Sequence, residues 1–349
     1  MKRVRVEAST NYDVLIENGL LGASGRLIRE ITNGQTAVVV SETNVFPLYG
    51  EKVITSLEET GFSVLSFVFE AGEESKNTET LVKLWEFLAE KHITRSDILV
   101  ALGGGVTGDL TGFAAATFLR GIKYVNIPTT LLSMVDSSVG GKTAVDLKNG
   151  KNLAGAFCQP ALVLIDPDTL NTLSPLVFSD GMAEVIKYGM INTPSLLTML
   201  QGEYDIIDII EICVTAKRDI VAVDERDTGI RQLLNFGHTP AHGIELLSQY
   251  TISHGSAVAI GMVIMTRAAI AKGLCEKEAL TVLLGLLGKF SLPSFLVFSA
   301  EEIAHAALGD KKRSGDSITL VIPERAGKCV LKQFPVNELY SFISEAFSK

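Results

Sequence analysis

The chain is poor in cysteine, in aromatic residues and in unbroken apolar runs. Four cysteines occur in 349 residues (Cys158, Cys213, Cys275 and Cys329), none in a CxxC pair. This argues against a disulfide framework or a thiolate zinc cluster and fits a reducing compartment. Met1 to Glu7 lacks the apolar run of a secretory signal, so a cytoplasmic location is expected. The longest apolar run, near Ala257 to Met265, falls short of the roughly 20 residues a membrane span needs, so no membrane association is expected. Basic residues are in the minority, 31 Lys+Arg against 40 Asp+Glu, for a net charge of −9. Nonspecific nucleic-acid binding needs Lys and Arg to replace phosphate counterions, so no nucleic-acid partner is expected. A small anionic ligand remains compatible, because a local basic pocket can sit inside an acidic envelope. Histidine is scarce as well, yet three of the five (His238, His242 and His254) fall in one short stretch.

Against these shortages, 47% of the residues are apolar and 20% charged, a balance that supports a folded core. The length suggests two domains at about 150 residues each. The first half alternates strand-like and helix-like segments. Thr36–Ser41, Phe62–Phe69, Ile98–Leu102, Tyr124–Ile127 and Ala161–Ile165 read as strands, and Phe46–Thr60 and Thr78–Lys91 as helices. Such alternation predicts a parallel sheet covered on both faces, a Rossmann-like α/β domain. Beyond Leu173 helical spacing dominates: Asp180–Tyr188, Ile206–Val223, Ala241–Leu247, Ser256–Lys272 and Lys277–Phe290. The expectation is an α/β domain over 1–173 and a mainly α-helical domain over 174–349.

Two segments carry chemistry. Gly103, Gly105 and Gly108 form GxGxxG directly after a predicted strand, where backbone N–H groups and a helix N-terminus can approach phosphate. The acid that a dinucleotide fingerprint places about 20 residues later is missing, and a lone GxGxxG serves equally as a tight turn. Glu42, closing the strand Thr36–Ser41, offers an alternative ribose acid. Gly140-Gly141-Lys142-Thr143 looks like a P-loop ending, but its required first glycine is Asp136. The second segment is Asn235-Phe236-Gly237-His238-Thr239-Pro240-Ala241-His242, with His254 following. Catalytic zinc takes three N/O ligands and keeps one position open; a Glu with two His is such a set. Thr239 as N-cap and Pro240 as first helical residue would leave His238 just before a helix and His242 in its first turn.

Taken together, the segments resemble the 3-dehydroquinate synthase family. The match runs from Glu42 to about Gly315 through Gly72-Glu73-Glu74-Ser75-Lys76, Gly103–Asp109, Pro128–Leu132, Val135–Val145, Gly150–Leu153, Gly181–Lys187, Lys217, Asp224-Glu225, Arg231, Asn235–His242, His254-Gly255 and Asp310–Lys312. The resemblance implies an NAD-binding α/β domain and a helical metal-binding domain, usually a homodimer. It implies a carbon–oxygen lyase of the shikimate pathway that cyclises DAHP (3-deoxy-D-arabino-heptulosonate 7-phosphate) to 3-dehydroquinate and phosphate, using NAD and Zn2+ or Co2+. Glu184, His238 and His254 are the implied metal ligands. NAD is implied to contact Glu42, Asn44, Gly72, Glu73, Lys76, Gly104, Gly105, Val106, Thr107, Gly108, Asp109, Thr129, Thr130, Lys142, Lys151, Thr169, Leu170 and Thr172. Substrate is implied to contact Arg120 of a second subunit, Asp136, Lys142, Asn152, Lys187, Lys217, Arg231, Asn235, His242 and Lys311 or Lys312. The chain departs from the family's usual residues at Glu42, Ser133-Met134, Ala241 and Gly243. A related sugar-phosphate cyclase or a metal-dependent polyol dehydrogenase on the same scaffold is the alternative reading.

Overall fold

The computed structural model describes residues 1–295, 298–308, 313–314 and 316–347. The chain forms two compact units, Met1–Leu173 with Lys217–Glu225, and Ser174–Ala216 with Arg226–Lys349.

The first unit is built on a seven-stranded sheet of β1 (Lys2–Val6), β2 (Tyr12–Ile16), β3 (Thr36–Glu42), β4 (Ser63–Phe69), β5 (Ile98–Gly103), β6 (Lys123–Pro128) and β9 (Leu162–Ile165). Its order is β1-β2-β9-β6-β5-β3-β4. All neighbours are parallel except β1 and β2, an antiparallel edge pair that the strand–helix alternation did not reveal. Helices α1 (Ser24–Arg29), α2 (Phe46–Glu58), α3 (Thr78–Glu90) and α4 (Gly105–Thr117) complete the layers, and β7 (Lys142–Leu147) with β8 (Gly150–Phe157) forms a separate hairpin. The central strands are apolar on both faces because both faces are covered. Ala37, Val39 and Val100 pack with Leu27, Ile28, Val53 and Leu57 of α1 and α2. Their neighbours Val38, Val40 and Leu99 pack on the other side with Leu81, Leu84, Leu88 and Leu110 of α3 and α4. This period of two is the pleat of a β-strand.

The second unit contains α5 (Pro175–Ile191), α6 (Pro194–Gln201), the first part of α7 (Ile206–Val223), α8 (His238–Leu247), α9 (His254–Ala271), α10 (Lys277–Lys289), α11 (Ala300–Leu308) and α12 (Leu339–Ser344). The end of α7, from Lys217, belongs with the first unit. The unit also holds a three-stranded antiparallel sheet of β10 (Arg313–Ser314), β11 (Ser317–Arg325) and β12 (Lys328–Pro335), which the helical reading of 174–349 omitted. Helix α9 is long and apolar enough to cross a membrane by length and composition, but 78% of that stretch is buried within the protein. It is the core helix of its unit.

One helix start differs from expectation. Gly237, with φ +80°, is the N-cap of α8, so His238 is the first helical residue and Thr239 and Pro240 lie inside the first turn. A Cβ on Gly237 would stand 2.8 Å from the Met262 backbone nitrogen. Both the left-handed φ and this close approach to α9 require glycine, and they override the Thr-Pro capping signal.

Candidate metal and nucleotide sites

In the first unit, Val40 of β3 pairs with Ala101 of β5. Glu42 and Gly103 therefore lie together at the carboxyl ends of these strands. Crossovers leave β3 and β5 for opposite faces of the sheet, which makes this edge a topological switch point, where open α/β sheets bind ligands. Gly104, without a side chain to cap it, precedes the first turn of α4, which presents Gly105, Val106 and Thr107. The hydroxyls of Thr107 and Thr129 beside this loop are buried and receive no hydrogen bond among the described residues. Buried polar groups left unmatched are costly, so the loop fits a polar ligand. Glu42 also has a local role: its carboxylate accepts from the Asn44 N–H (2.6 Å) and the Val45 N–H (3.1 Å). Thr169, Leu170 and Thr172 lie on the 3-10 turn Pro167–Thr172, to which the Tyr49 hydroxyl is bonded at the Thr169 carbonyl and the Thr172 hydroxyl (3.1 and 2.6 Å).

Gly72 precedes the short turn Glu73–Ser75. Past it, the buried Lys76 ammonium stands 2.7 Å from Glu73, 3.5 Å from Asp109 and 3.8 Å from Asp146, and Lys151 lies 3.9 Å from Glu73. Burial opposes the Lys76 charge, but the surrounding carboxylates outweigh it and raise its pKa. Three acids share these ammonium groups. For Asp109 burial dominates, and its pKa is pushed up to about 6.

The nearby segment is fixed from several directions. Lys217 forms an ion pair with the Asp136 carboxylate and donates to the Asp136 carbonyl at 2.7 Å. The Tyr12 hydroxyl accepts from the Gly140 N–H (3.1 Å), and the Gly141 carbonyl accepts from the Cys158 N–H (2.8 Å), setting the turn that leads to Lys142. Lys142, Asn152 and Arg120 are exposed, and Thr130 bonds Ser133 through its hydroxyl (2.9 Å).

The second unit gathers the expected metal ligands. Glu184 comes from the middle of α5, and His238 and His254 are the first residues of α8 and α9. One ligand atom from each lies within 4.8 Å of the others. Glu184 Oε1 stands 3.7 Å from His238 Nε2 and 3.4 Å from His254 Nε2. Both Glu184 oxygens are buried without a hydrogen bond of good geometry among the described residues, although Lys187 is in ion-pair contact with Oε2. Glu184 and Lys187 are each 1% exposed, which removes the reading of a solvated helix pair. An acid buried so deeply needs compensating charge, and a divalent cation held by one carboxylate and two imidazoles supplies it. The residues fit a metal.

The convergence of three helices has a local cause. Asp180, one turn before Glu184 on α5, accepts from the Ser253 hydroxyl (2.6 Å) and the Ser256 N–H (3.1 Å), capping α9. Gly255 lets the backbones meet: a Cβ there would lie 2.3 Å from Asp180 Cα. The His242 ring is edge-on to His238, with centroids 5.7 Å apart. Arg231 is buried in the 3-10 segment Ile230–Asn235, which ends at Asn235. Lys311 and Lys312 lie outside the described residues. Sequence reasoning gave no role to Asp180 or Glu245. The sequence carries no local signal for either, because both act through tertiary contacts with the first turn of α9.

Comparison with known proteins agrees with this arrangement. The family model described as 3-dehydroquinate synthase N-terminal matches residues 66–180, and that described as 3-dehydroquinate synthase C-terminal matches 181–313. A 3-dehydroquinate synthase from Clostridium kluyveri is 44% identical over 342 residues, covering 95% of each chain. Among solved structures, ValA, a 2-epi-5-epi-valiolone synthase from Streptomyces hygroscopicus with NAD+ and Zn2+ bound, superposes with a TM-score of 0.87 at 25% identity, covering 99% of each chain. A 2-deoxy-scyllo-inosose synthase complexed with carbaglucose-6-phosphate, NAD+ and Co2+ gives a TM-score of 0.87 at 24% identity, covering 99% of this chain and all of the other.

Proposed function

The chain belongs to the 3-dehydroquinate synthase family, and from that premise we propose that it converts DAHP to 3-dehydroquinate and phosphate with NAD and a divalent metal. The observation that carries the chemistry is the buried Glu184 gathered with the half-buried His238 and His254, with Lys187 against it. When bound, the metal on these three residues polarises a substrate hydroxyl, and NAD supplies a hydride acceptor that is regenerated within the cycle.

The chain's own residues bind, orient and neutralise. In the second unit Lys187 and Arg231 are buried cations suited to carboxylate and phosphate, where charge-assisted hydrogen bonds are strong. Asn235 and His242 add further hydrogen-bonding groups in the same unit. In the first unit Asp136 fixes the direction of the Lys217 ammonium, and Lys142 and Asn152 on the β7–β8 hairpin add a cation and an amide. Ligands held in one geometry gain rate through orientation alone. Departing phosphate takes up the neighbouring proton, so no strong base is required of the protein. NAD belongs to the first unit, with ribose hydroxyls donating to acids such as Glu42, Glu73 and Asp109, and pyrophosphate at Gly104–Thr107. We assign the NAD domain to 1–173 and the metal domain to 174–349, the assembly to a homodimer that contributes Arg120, and the location to the cytoplasm.

Phosphate release from DAHP tests the reading. Release is expected only with NAD and with zinc or cobalt, without net NADH. Turnover of a neutral sugar phosphate but not DAHP, or steady NADH accumulation, would overturn it in favour of another cyclase or a dehydrogenase.

A further inference from the structure

A second carboxylate approaches the triad without belonging to it. Glu245 lies in the last turn of α8, with its side chain 5% exposed. Its Oε1 stands 3.4 Å from His254 Nδ1, while Nε2 of the same ring faces Glu184 Oε1 at 3.4 Å. The His254 imidazole is thus bracketed, one nitrogen toward each acid. His238 has the same layout with a weaker acceptor: its Nδ1 is 3.2 Å from the Phe236 carbonyl oxygen and its Nε2 faces Glu184.

We propose that Glu245 is a positioning residue of the metal centre, acting through His254. The inference rests on the metal reading above. An imidazole ligates a metal through an unprotonated nitrogen, so the proton must sit on the other one and needs an acceptor there. Glu245 supplies that acceptor, selects the Nδ1–H form of His254, orients the ring and makes Nε2 the better ligand. Its location is otherwise unfavourable. A buried carboxylate costs free energy, and the C-terminal turn of a helix repels negative charge. The Nδ1–H of His254 offsets both.

The test is metal binding by the full chain, with Co2+ as the probe. Zn2+ affinity is measured by chelator competition and the Co2+ site by its visible absorption. Glu245→Ala is expected to weaken both metals by about 10- to 100-fold and to shift the cobalt bands. Glu245→Gln, whose amide oxygen still accepts from Nδ1–H, should recover most of the affinity and restore the band positions. Wild-type affinity and spectrum in Glu245→Ala would overturn the inference. Should that variant fail to fold, Glu245→Met, which keeps the bulk but offers His254 no oxygen acceptor, decides in its place: a weakened affinity with shifted bands supports the inference, and an unchanged site overturns it. Failure of the metal reading looks different. There the wild type takes up no Co2+, or Glu184→Gln binds it as well as the wild type.

Discussion

Gly255→Ala is a one-methyl probe of the centre. The added Cβ would stand 2.3 Å from Asp180 Cα and 2.4 Å from the Asp180 carbonyl oxygen. These are backbone atoms, so no side-chain rotation relieves the clash. Restoring the 3.4 Å of ordinary contact requires α5 and α9 to separate by about 1.1 Å at this point. Helix α5 carries Glu184 and α9 begins at His254, so their 3.4 Å separation opens by a similar amount. Metal sites tolerate about 0.2 Å in ligand distance, several-fold less. The variant is therefore expected to lose stoichiometric zinc at concentrations that saturate the wild type. Overpacking of this kind also costs about 1–3 kcal/mol, which lowers Tm by roughly 2–12 °C in calorimetry. Gly285→Ala on α10 is the control. Its Cβ would meet nothing within 4 Å, and removing a helical glycine should raise stability by about 0.5–1 kcal/mol. Wild-type zinc affinity and Tm in Gly255→Ala would refute the reasoning.

Two further predictions follow from buried charge. Lys187→Met leaves Glu184 buried without its cation, which should cost about 3–5 kcal/mol in the absence of metal. Added zinc should then raise the Tm of the variant more than that of the wild type, and a metal-free variant as stable as the wild type would contradict this. The Asp97 carboxylate accepts from the Gln35 N–H (3.1 Å), the Thr36 N–H (2.8 Å), the Thr94 N–H (2.8 Å) and the Thr94 hydroxyl (2.7 Å). Burial raises its pKa, but these four donors outweigh burial and bring it below the ordinary value of 3.8. Asp97→Asn should cost about 2–4 kcal/mol at pH 7, as donors come to face the amide nitrogen. A lowered carboxylate pKa contributes stability above the unfolded value, about 3.9, and loses it as pH falls through the folded value. The gap between wild type and variant should therefore close in acid, as followed by Tm between pH 7 and 3. A gap that persists there would show that the charge is not the cause.

The parallel strands were legible because burial on both faces leaves apolar, β-branched runs that few other structures produce, as in Thr36–Ser41. The β1–β2 pair was not, because a five-residue strand in which only Val4 and Val6 are buried has too few apolar positions to stand out from a charged segment. Strands β11 and β12 lie beyond the motif match, which ends near Gly315, and a short antiparallel pair leaves no strand–helix alternation to mark it. The helix ends at the metal ligands depended on Gly237, whose contact with α9 is tertiary and invisible to local capping rules. Glu184 and Lys187 show the limit most clearly. Their spacing is that of any solvated helix pair, and only the family resemblance singled them out. Glu245 carried neither signal, since the acceptor behind a ligand histidine is defined by where the ring turns.

The two-faced apolarity of β3 has a cost in specification. A strand with one polar face resists slippage, because a shift by one residue would bury its polar set. In Ala37–Val40 a shift would exchange one valine for another and bring little penalty in polarity. Alignment of β3 with β5 must then come from its ends. At one end Asp97 grips the N–H groups of Gln35 and Thr36. At the other the Ser41 hydroxyl donates to the Leu102 carbonyl at 2.7 Å. These two polar clasps act as register pins that the interchangeable valines cannot provide. They set Glu42 level with Gly103, so alignment of the nucleotide edge is entrusted to an aspartate and a serine that are not among the implied NAD contacts.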